Sequence, residues 1–592
     1  MNGAELIAKF IEKKCFPKVF LVTGGACAFI VDAIGRNEEI DYVCMQHEQA
    51  AAMAADAVWR TCGLVGVTVA TSGPGATNLI TGIACSWFDS IPTLHITGQV
   101  NQRESAESLG VNVRQAGFQE TDIVDICSSI TKYAVKVRST KELAKALASG
   151  IHIAISGRMG PVLIDVPMDV QQAECSDHDI AIAFADVEDV KDVKEEIYSI
   201  DAGQVIHTAL SSAERPLVIL GAGLGLSGQT HRIQRWCEKY GIPYCSSWGG
   251  LPFLEADGTL YQGSIGVYGS RRANWAIQSA DVIIALGSRL DNRQRTGNPF
   301  AFAPFAKVFV FDVDREELKK FETNKNYSTI NFDLRNAEKL EIDLGILSSK
   351  FEHWRLRLAS TLDGFDDGFN ASVGEGELNP YTTVQKLQSF ISEDAIIVSD
   401  CGANLCWVYQ AIIPSKMVFF TAGGNSPMGY AVPAAIGAAI ANPTREVVCF
   451  IGDGGLQMNI QELQTIVNYK LKVKIVILNN LGYGIIKQFQ DAYFDSRYEA
   501  TGRGYSLPDF GKISGAYGIE YERVTKLENL TKLIMENGPV VIDVILPPNA
   551  LITPKVEMDR FIHDQFPYGS LHERPETAFM YPDRPSGLAK NG

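Results

Sequence analysis

Residues 450–484 read FIGDGGLQMNIQELQTIVNYKLKVKIVILNNLGYG, and this stretch decides the fold. One apolar run ends at Gly452-Asp453-Gly454; a second, VKIVIL, ends at Asn479 and Asn480. Between them NIQELQTIVNY has the spacing of an amphipathic helix. Short apolar runs ending at Gly, Asp or Asn suit buried parallel strands, and the intervening helix makes a parallel crossover. Ligands bind such sheets beyond the carboxyl ends of the strands. Asp453 and Asn480 then open on one edge, a carboxylate and an amide facing a hard cation. Two oxygen donors do not hold Mg2+ alone; phosphate oxygens complete the octahedron. Gly452, Gly454 and Gly455 let backbone N–H groups approach those phosphates at a helix N-terminus. The stretch therefore reads as a Mg2+–diphosphate clamp. A glycine-rich turn with a capping asparagine is the competing reading.

The same alternation runs outward along the chain. "KVFLVTGG", "VGVTVATSGPG" and "TLHITGQV" come first, then "PLVILGAG", "DVIIALGS" and "KVFVFDVD", then "AIIVSDCG" before the opening stretch. This predicts an α/β protein of three doubly wound parallel-sheet domains. Residues 174–198, rich in acid, and 360–380, rich in Gly, Asp and Asn, read as surface linkers. The expected domains are 1–175, 190–350 and 370–548, followed by a tail, 549–592, lying over the active site. A chain of 592 residues exceeds one hydrophobic core. A net charge of -16 excludes nucleic acid and anionic membrane as main partners. No window approaches the roughly 18 apolar residues of a spanning helix. The 12 cysteines form no C-x-x-C motif and read as free thiols of a cytoplasmic protein.

Gly-Asp-Gly followed at this spacing by Asn-Asn resembles the thiamine diphosphate signature. "MQHEQAAAMAADAVWR", "TSGPGATNLITGIACSWFDSIPTLHITGQV", "FQETDIV", "GPVLIDVPMDV" and "SPMGYAVPAAIGAAIANP" are similar to the acetohydroxyacid (acetolactate) synthase branch of that superfamily. The likeness covers roughly residues 4–545. It implies three domains that bind the pyrimidine, FAD and the Mg2+–diphosphate.

By this resemblance, Glu48 bonds N1′ of the aminopyrimidine. A proton there favours the imino tautomer, whose N4′ takes the C2 proton of the thiazolium, and a buried carboxylate suits that proton sharing. Gly25, Pro74 and Asn78 lie near the cofactor, and Met428 wedges it into a bent shape that brings N4′ to C2. Gly402, Ala403 and Asn404 touch the diphosphate end with Gly454 and Gly455. Gly482 joins Asp453 and Asn480 at the metal. Gln119 and Phe118 line the pocket of the reacting carbon, and Lys132 matches a family lysine that reads equally well as a solvated surface residue. The resemblance also implies that Glu48 serves a cofactor held by another subunit, hence a homodimer or homotetramer with sites at the interface.

In the middle domain Gly221, Ala222 and Gly223 follow a strand. "ALGSRLDNRQRTGNP" resembles the family's FAD segment, with Arg289, Asp291 and Arg293, while Asp312 and Asp333 fall at adenine-side positions. Departures gather on the acceptor side. Phe489 stands where the family carries a Trp, "GVYG" with Val267 and Tyr268 replaces Gly-Met-His-Gly, and Ile485 and Lys487 flank them. The tail differs as well. None of the nine histidines adjoins another, so the paired histidines of the related decarboxylases are missing. The expected activity is a carboligase that decarboxylates pyruvate and passes its two-carbon unit to a ketone, a nucleotide-linked keto-deoxysugar. An acetolactate synthase joining two pyruvates is the first alternative and a flavin-dependent pyruvate oxidase the second. A non-enzymatic carrier would be expected to lack Glu48, Asp453 or Asn480, and all three are present.

Overall fold

The computed structural model describes residues 1–185, 201–254, 258, 260–345, 347–362, 367–413, 415–531, 538–558 and 560–568. The first sheet contains β1 (Lys18–Leu21), β2 (Asp41–Cys44), β3 (Gly66–Ala70), β4 (Thr93–Gln99), β5 (Tyr133–Lys136) and β6 (Val162–Pro167). The second contains β7 (Pro216–Leu220), β8 (Tyr244–Ser246), β9 (Tyr261–Ser264), β10 (Val282–Leu286), β11 (Lys307–Asp312) and β12 (Tyr327–Asn331). The third contains β13 (Ile396–Ser399), β14 (Val418–Phe420), β15 (Val447–Gly452), β16 (Val473–Asn479), β17 (Glu520–Val524) and β18 (Val540–Ile545). All three sheets are parallel, as the apolar runs require. The first and third share one topology, β2-β1-β3-β4-β6-β5 and β14-β13-β15-β16-β18-β17. The second is ordered β12-β11-β10-β7-β8-β9, the doubly wound order of dinucleotide-binding sheets.

Alanine-rich helices join the outer domains. The helix Glu48–Cys62 buries Ala50, Ala51, Ala54 and Ala55 and packs on the helix Ala431–Ala441. Small side chains let the backbones approach so closely that a Cβ on Gly437 would stand 2.1 Å from Ala54 O. A buried polar knot flanks this contact. Arg60 bridges Asp56 at 2.6 Å and Asp89 at 2.8 Å, and Asp56 also accepts from the Tyr430 and Ser86 hydroxyls. Asp89 in turn accepts the Gly423 and Gly424 N–H groups at 2.8 and 2.7 Å. The loop leading to Met428 is thereby fastened to the first domain.

The expected boundaries shift in three places. The helix Asp177–Phe184, closed by a capping box at Ser176, packs Ala183 into the first domain's core beyond residue 175. The remainder of the expected 174–198 linker, from 186, lies outside the described residues. The segment 360–380 is not surface linker throughout: Phe369 stacks on Tyr381 at 4.1 Å and Ser372 is buried. Glycine-rich composition hid the apolar contacts of Phe369, Val373 and Leu378 and the Ser372 hydrogen bond to Leu551 O that hold it down. The tail, to residue 568, is built into the fold. Its strands Lys555–Val556 and Gln565–Phe566 pair antiparallel, and Val556 and Ile562 join the middle domain's core.

Candidate active site

Three loops meet at the carboxyl ends of β13, β15 and β16. Gly402 has φ 86°, which favours glycine, and caps the helix Ala403–Ala411. Asp453 opens the helix Asp453–Met458, and Gly484 the helix Gly484–Tyr493. A Cβ on Gly484 would lie 2.6 Å from Asn480 Nδ2 and 3.2 Å from Ala403 Cβ, so the loops touch. Asp453 is buried. Its Oδ1 accepts from Gly454 N at 2.6 Å and Tyr505 OH at 2.7 Å, and its Oδ2 from Gly482 N at 3.0 Å. Burial pushes this carboxyl above its ordinary range despite those donors. The buried Asn480 amide nitrogen has no partner among the described residues. A buried carboxylate suits a hard cation, and the unmatched amide N–H beside it, with the helix N-termini, suits the phosphate oxygens such a cation carries. Gly454 and Gly455 permit close packing at this turn: a Cβ on Gly455 would stand 2.1 Å from Asp400 Oδ2 and one on Gly454 2.4 Å from the Tyr483 ring. Asn404 turns its amide nitrogen inward, to Ser399 Oγ and the Asp400 and Phe450 carbonyls, each at 3.2 Å. Its Oδ1 has no partner among the described residues.

A second cluster forms at the ends of β1, β2 and β3. Glu48, 8% exposed, begins its helix after the cap His47, whose Nδ1 accepts from Gln49 N at 3.1 Å. Asn78 Nδ2 donates to Glu48 Oε2 at 2.9 Å. Pro74 starts the short helix Pro74–Asn78 after Gly73, whose φ of 61° places the turn against Gln119. Gly25 stands open beside this turn, where Ala26 N donates to Thr71 Oγ1 at 3.2 Å. Gln119 has φ 65°, and the neighbouring Phe118 is 84% exposed. Met428 is half-buried on a loop held by Asp400, which accepts Gly429 N at 3.0 Å and Ala431 N at 3.3 Å. Burial pushes the Asp400 carboxyl up to about 7.

The comparisons with known proteins place the chain. The thiamine pyrophosphate enzyme N-terminal TPP binding domain matches residues 1–126, the central domain 204–329 and the C-terminal TPP binding domain 400–544. The acetolactate synthase large subunit of Lactococcus lactis is 33% identical over 565 residues, 94% of either chain. The isozyme 2 large subunit of Escherichia coli K12 is also 33% identical, over 94% of this chain and 97% of its own. The acetolactate synthase of Arthrospira platensis is 34% identical, over 92% of this chain and 94% of its own. This chain belongs to the acetolactate synthase-like thiamine diphosphate enzymes. It is a thiamine diphosphate-dependent carboligase, and the two clusters above are its candidate pyrimidine and diphosphate sites.

In this carboligase the residues expected on the acceptor side come from two segments. Val267 and Tyr268 follow β9; Ile485, Lys487 and Phe489 lie on the helix Gly484–Tyr493. Lys487 Nζ donates to Leu481 O at 3.2 Å and would sit 2.3 Å from a Cβ on Gly482, against the clamp. Phe489 packs its ring 4.7 Å from Tyr493. Arg293, expected with the FAD residues, instead lies 5.4 Å over the Tyr268 ring, and its carbonyl accepts from Val267 N at 2.8 Å. The tail closes this wall: Val556 N donates to Val267 O, and Met558 N to Tyr493 OH.

The other middle-domain residues fall along one sheet edge. Gly221 and Gly223 crowd against Gly287 between β7 and β10; a Cβ on Gly221 would stand 2.1 Å from Gly287 O. Arg289 donates to Phe88 O of the first domain, and Asp291 caps the helix Asn292–Arg295. Asp312 ends β11, and Asp333, after β12, holds Arg335. Lys132 is not a solvated surface residue: it donates to the Ile153 and Ser156 carbonyls and closes a helix end, and burial pulls it down to about 8. Sequence reasoning missed Tyr505, Asp400 and Glu462. Only for Asp400, at the end of the run AIIVSD, was there a signal.

Proposed function

We propose that this enzyme transfers the two-carbon unit of pyruvate to the ketone of a nucleotide-linked keto-deoxysugar, forming a branched tertiary alcohol. In this reading Asp453, Asn480 and Gly482 hold Mg2+; Gly402, Ala403, Gly454 and Gly455 receive the diphosphate; Glu48, Asn78 and Met428 hold the pyrimidine. Thiamine diphosphate, once bound, supplies a nucleophilic C2 that adds to the keto group of pyruvate and lets its carboxyl leave as CO2. The chain's own part is to move a proton at Glu48, to fix the bent ring geometry with Met428, and to keep water out. Gln119 orients the reacting carbonyl.

The observation that carries the acceptor assignment is the composite wall of Tyr268, Arg293, Phe489 and the tail. Its cations Arg293 and Lys555, with Lys487 at the clamp, suit an acceptor that bears a diphosphate. The ketone of a sugar needs no catalytic group beyond those that act on a second pyruvate. A second reading, condensation of two pyruvates, is favoured by relatives that are named acetolactate synthases over nearly their whole length. Mass spectrometry of products from pyruvate alone, and from pyruvate with a keto-sugar nucleotide, separates them. A higher kcat/KM for pyruvate as acceptor than for every sugar nucleotide tried establishes the second reading.

FAD belongs to this proposal as a bound structural group in the middle domain, supported by the strand order and by Gly221, Arg289, Asp312 and Asp333 along one edge. The purified protein is then yellow and consumes no oxygen with pyruvate; stoichiometric uptake in an oxygen electrode would identify a pyruvate oxidase. A homodimer or homotetramer is part of the same reading, supported by Leu109, Val113 and Phe118, which are 58%, 52% and 84% exposed beside the Glu48 cluster. No helix among the described residues is long and apolar enough to cross a membrane. A cytoplasmic location completes the proposal.

A further inference from the structure

β2 is the edge strand of the first sheet. One side of it pairs with β1, and Met45 N donates to Leu21 O just past its end. On the other side the N–H groups of Cys44 and Gln46 point away from the sheet, and unpaired edge groups of this kind need partners when buried. The third domain supplies both. Cys44 N donates to Tyr469 OH at 2.7 Å. Gln46 N donates to the Glu462 carboxylate, at 3.0 Å to Oε1 and 3.3 Å to Oε2. Glu462 is 0% exposed; the Thr465 hydroxyl donates to it at 2.7 Å, and the His47 backbone N–H also bonds to it. A fully buried carboxylate costs stability unless its hydrogen bonds are worth more elsewhere. Here they fix the two residues that precede Glu48: Gln46, and His47, the cap of Glu48's helix, each through its backbone N–H.

We infer that Glu462 is a positioning residue for Glu48: by accepting the Gln46 N–H it fixes the start of the helix from which the Glu48 carboxylate meets the pyrimidine. The inference rests on the role given to Glu48 above and is independent of the acceptor. It also gives the stretch after the clamp a second task. The same short run of chain that begins with Asp453 ends with Glu462 at Gln46, so one covalent segment joins the chain's two clusters.

The test follows deuterium exchange at C2 of thiamine diphosphate bound to holoenzyme variants, read by NMR after acid quench. Glu48→Gln is expected to slow exchange at least about 100-fold, the scale of a lost proton-transfer group. Glu462→Ala is expected to slow it about tenfold or more, with cofactor affinity nearly unchanged. Glu462→Gln, whose amide oxygen still accepts the N–H, should stay within about threefold of wild type. In cofactor-free protein, amide exchange of a peptide spanning residues 44–49 should accelerate in Glu462→Ala while that of 452–456 does not. If the cavity left by Ala prevents folding, Glu462→Met fills the volume without a strong acceptor and carries the same expectations. Wild-type C2 exchange in Glu462→Ala or Glu462→Met, or equal slowing in Glu462→Gln, overturns the inference. Wild-type exchange in Glu48→Gln overturns the role of Glu48 itself, and the two failures are thus distinct.

Discussion

Asp453 carries an electrostatic burden at the candidate site. It is buried, and its carboxyl is pushed up even though a hydroxyl, two backbone N–H groups and the Lys487 charge offset part of the cost. A bound dication would remove that penalty and couple it to the diphosphate. Asp453→Ala should therefore abolish the dependence of thiamine diphosphate affinity on Mg2+, checked by titrating cofactor into stripped protein with and without the metal. Equal affinity of mutant and wild type with Mg2+ would mean the loop is only a turn. Asp453 and Asn480 were legible because each ends an apolar run, where a parallel sheet presents its ligands. Tyr505 and Glu462 were not. Tyr505 reaches Asp453 across 52 positions, and Glu462 reaches Gln46 across 416, and no local pattern marks such a pair.

Among the elements, strands were the easiest to read, since four to seven consecutive apolar residues closed by a turn leave little choice. The contact between the helices Glu48–Cys62 and Ala431–Ala441 was harder to read, because alanines alone do not name their partner. That contact is held at one side by Arg60 between Asp56 and Asp89. Arg60→Ala would leave the buried Asp56 and the partly buried Asp89 without their cation, a loss on the order of 3–5 kcal/mol. It would also loosen Asp89 from Gly423 and Gly424, and with it the loop of Met428. A lower unfolding midpoint with a raised KM for thiamine diphosphate is the expected result. A drop in midpoint alone would mean the knot does not seat Met428. The strands themselves carry a pH signature. Asp165 lies buried between β4 and β6, accepting from Thr97 at 2.7 Å and Gln99 at 3.0 Å, and burial pushes it up to about 7. Its folded-state pKa lies above its unfolded one, so the folded state holds the proton more tightly. The stability this contributes is full below about pH 4 and is lost as pH rises through about 7. Thermal midpoints of the cofactor-free protein should fall between pH 5 and 8, roughly, and less steeply in Asp165→Asn. An unchanged slope in that variant would show that Asp165 does not hold its proton.

At the scale of the whole molecule, the alternation of strands and helices made the three domains legible, but not how they are joined. Strand order within each sheet follows from the path of the crossovers, which composition does not record. The tail is the clearest case, since its proline and charge suggested a cover over the site. To residue 568 it is also a strap. Trp407 Nε1 and Ser372 Oγ both donate to Leu551 O. Gln488 exchanges two hydrogen bonds with Ile552, and Thr553 N donates to Tyr381 OH. Ile552, Val556, Phe561 and Ile562 are buried, at 1%, 3%, 6% and 0% exposure. Four such side chains at about 1.5–3 kcal/mol each amount to roughly 6–12 kcal/mol, comparable with the whole stability of a folded domain. Truncation after Pro548 should therefore cost folding before it changes acceptor choice. Denaturant unfolding of the truncated chain should show a much lower midpoint or no cooperative transition. Phe489, 38% exposed on the helix that the strap holds, is the better probe of specificity. Phe489→Ala should leave the midpoint nearly unchanged and alter KM for the acceptor more than for pyruvate as donor. A truncated chain that unfolds at the wild-type midpoint would return the tail to the role of a loose cover.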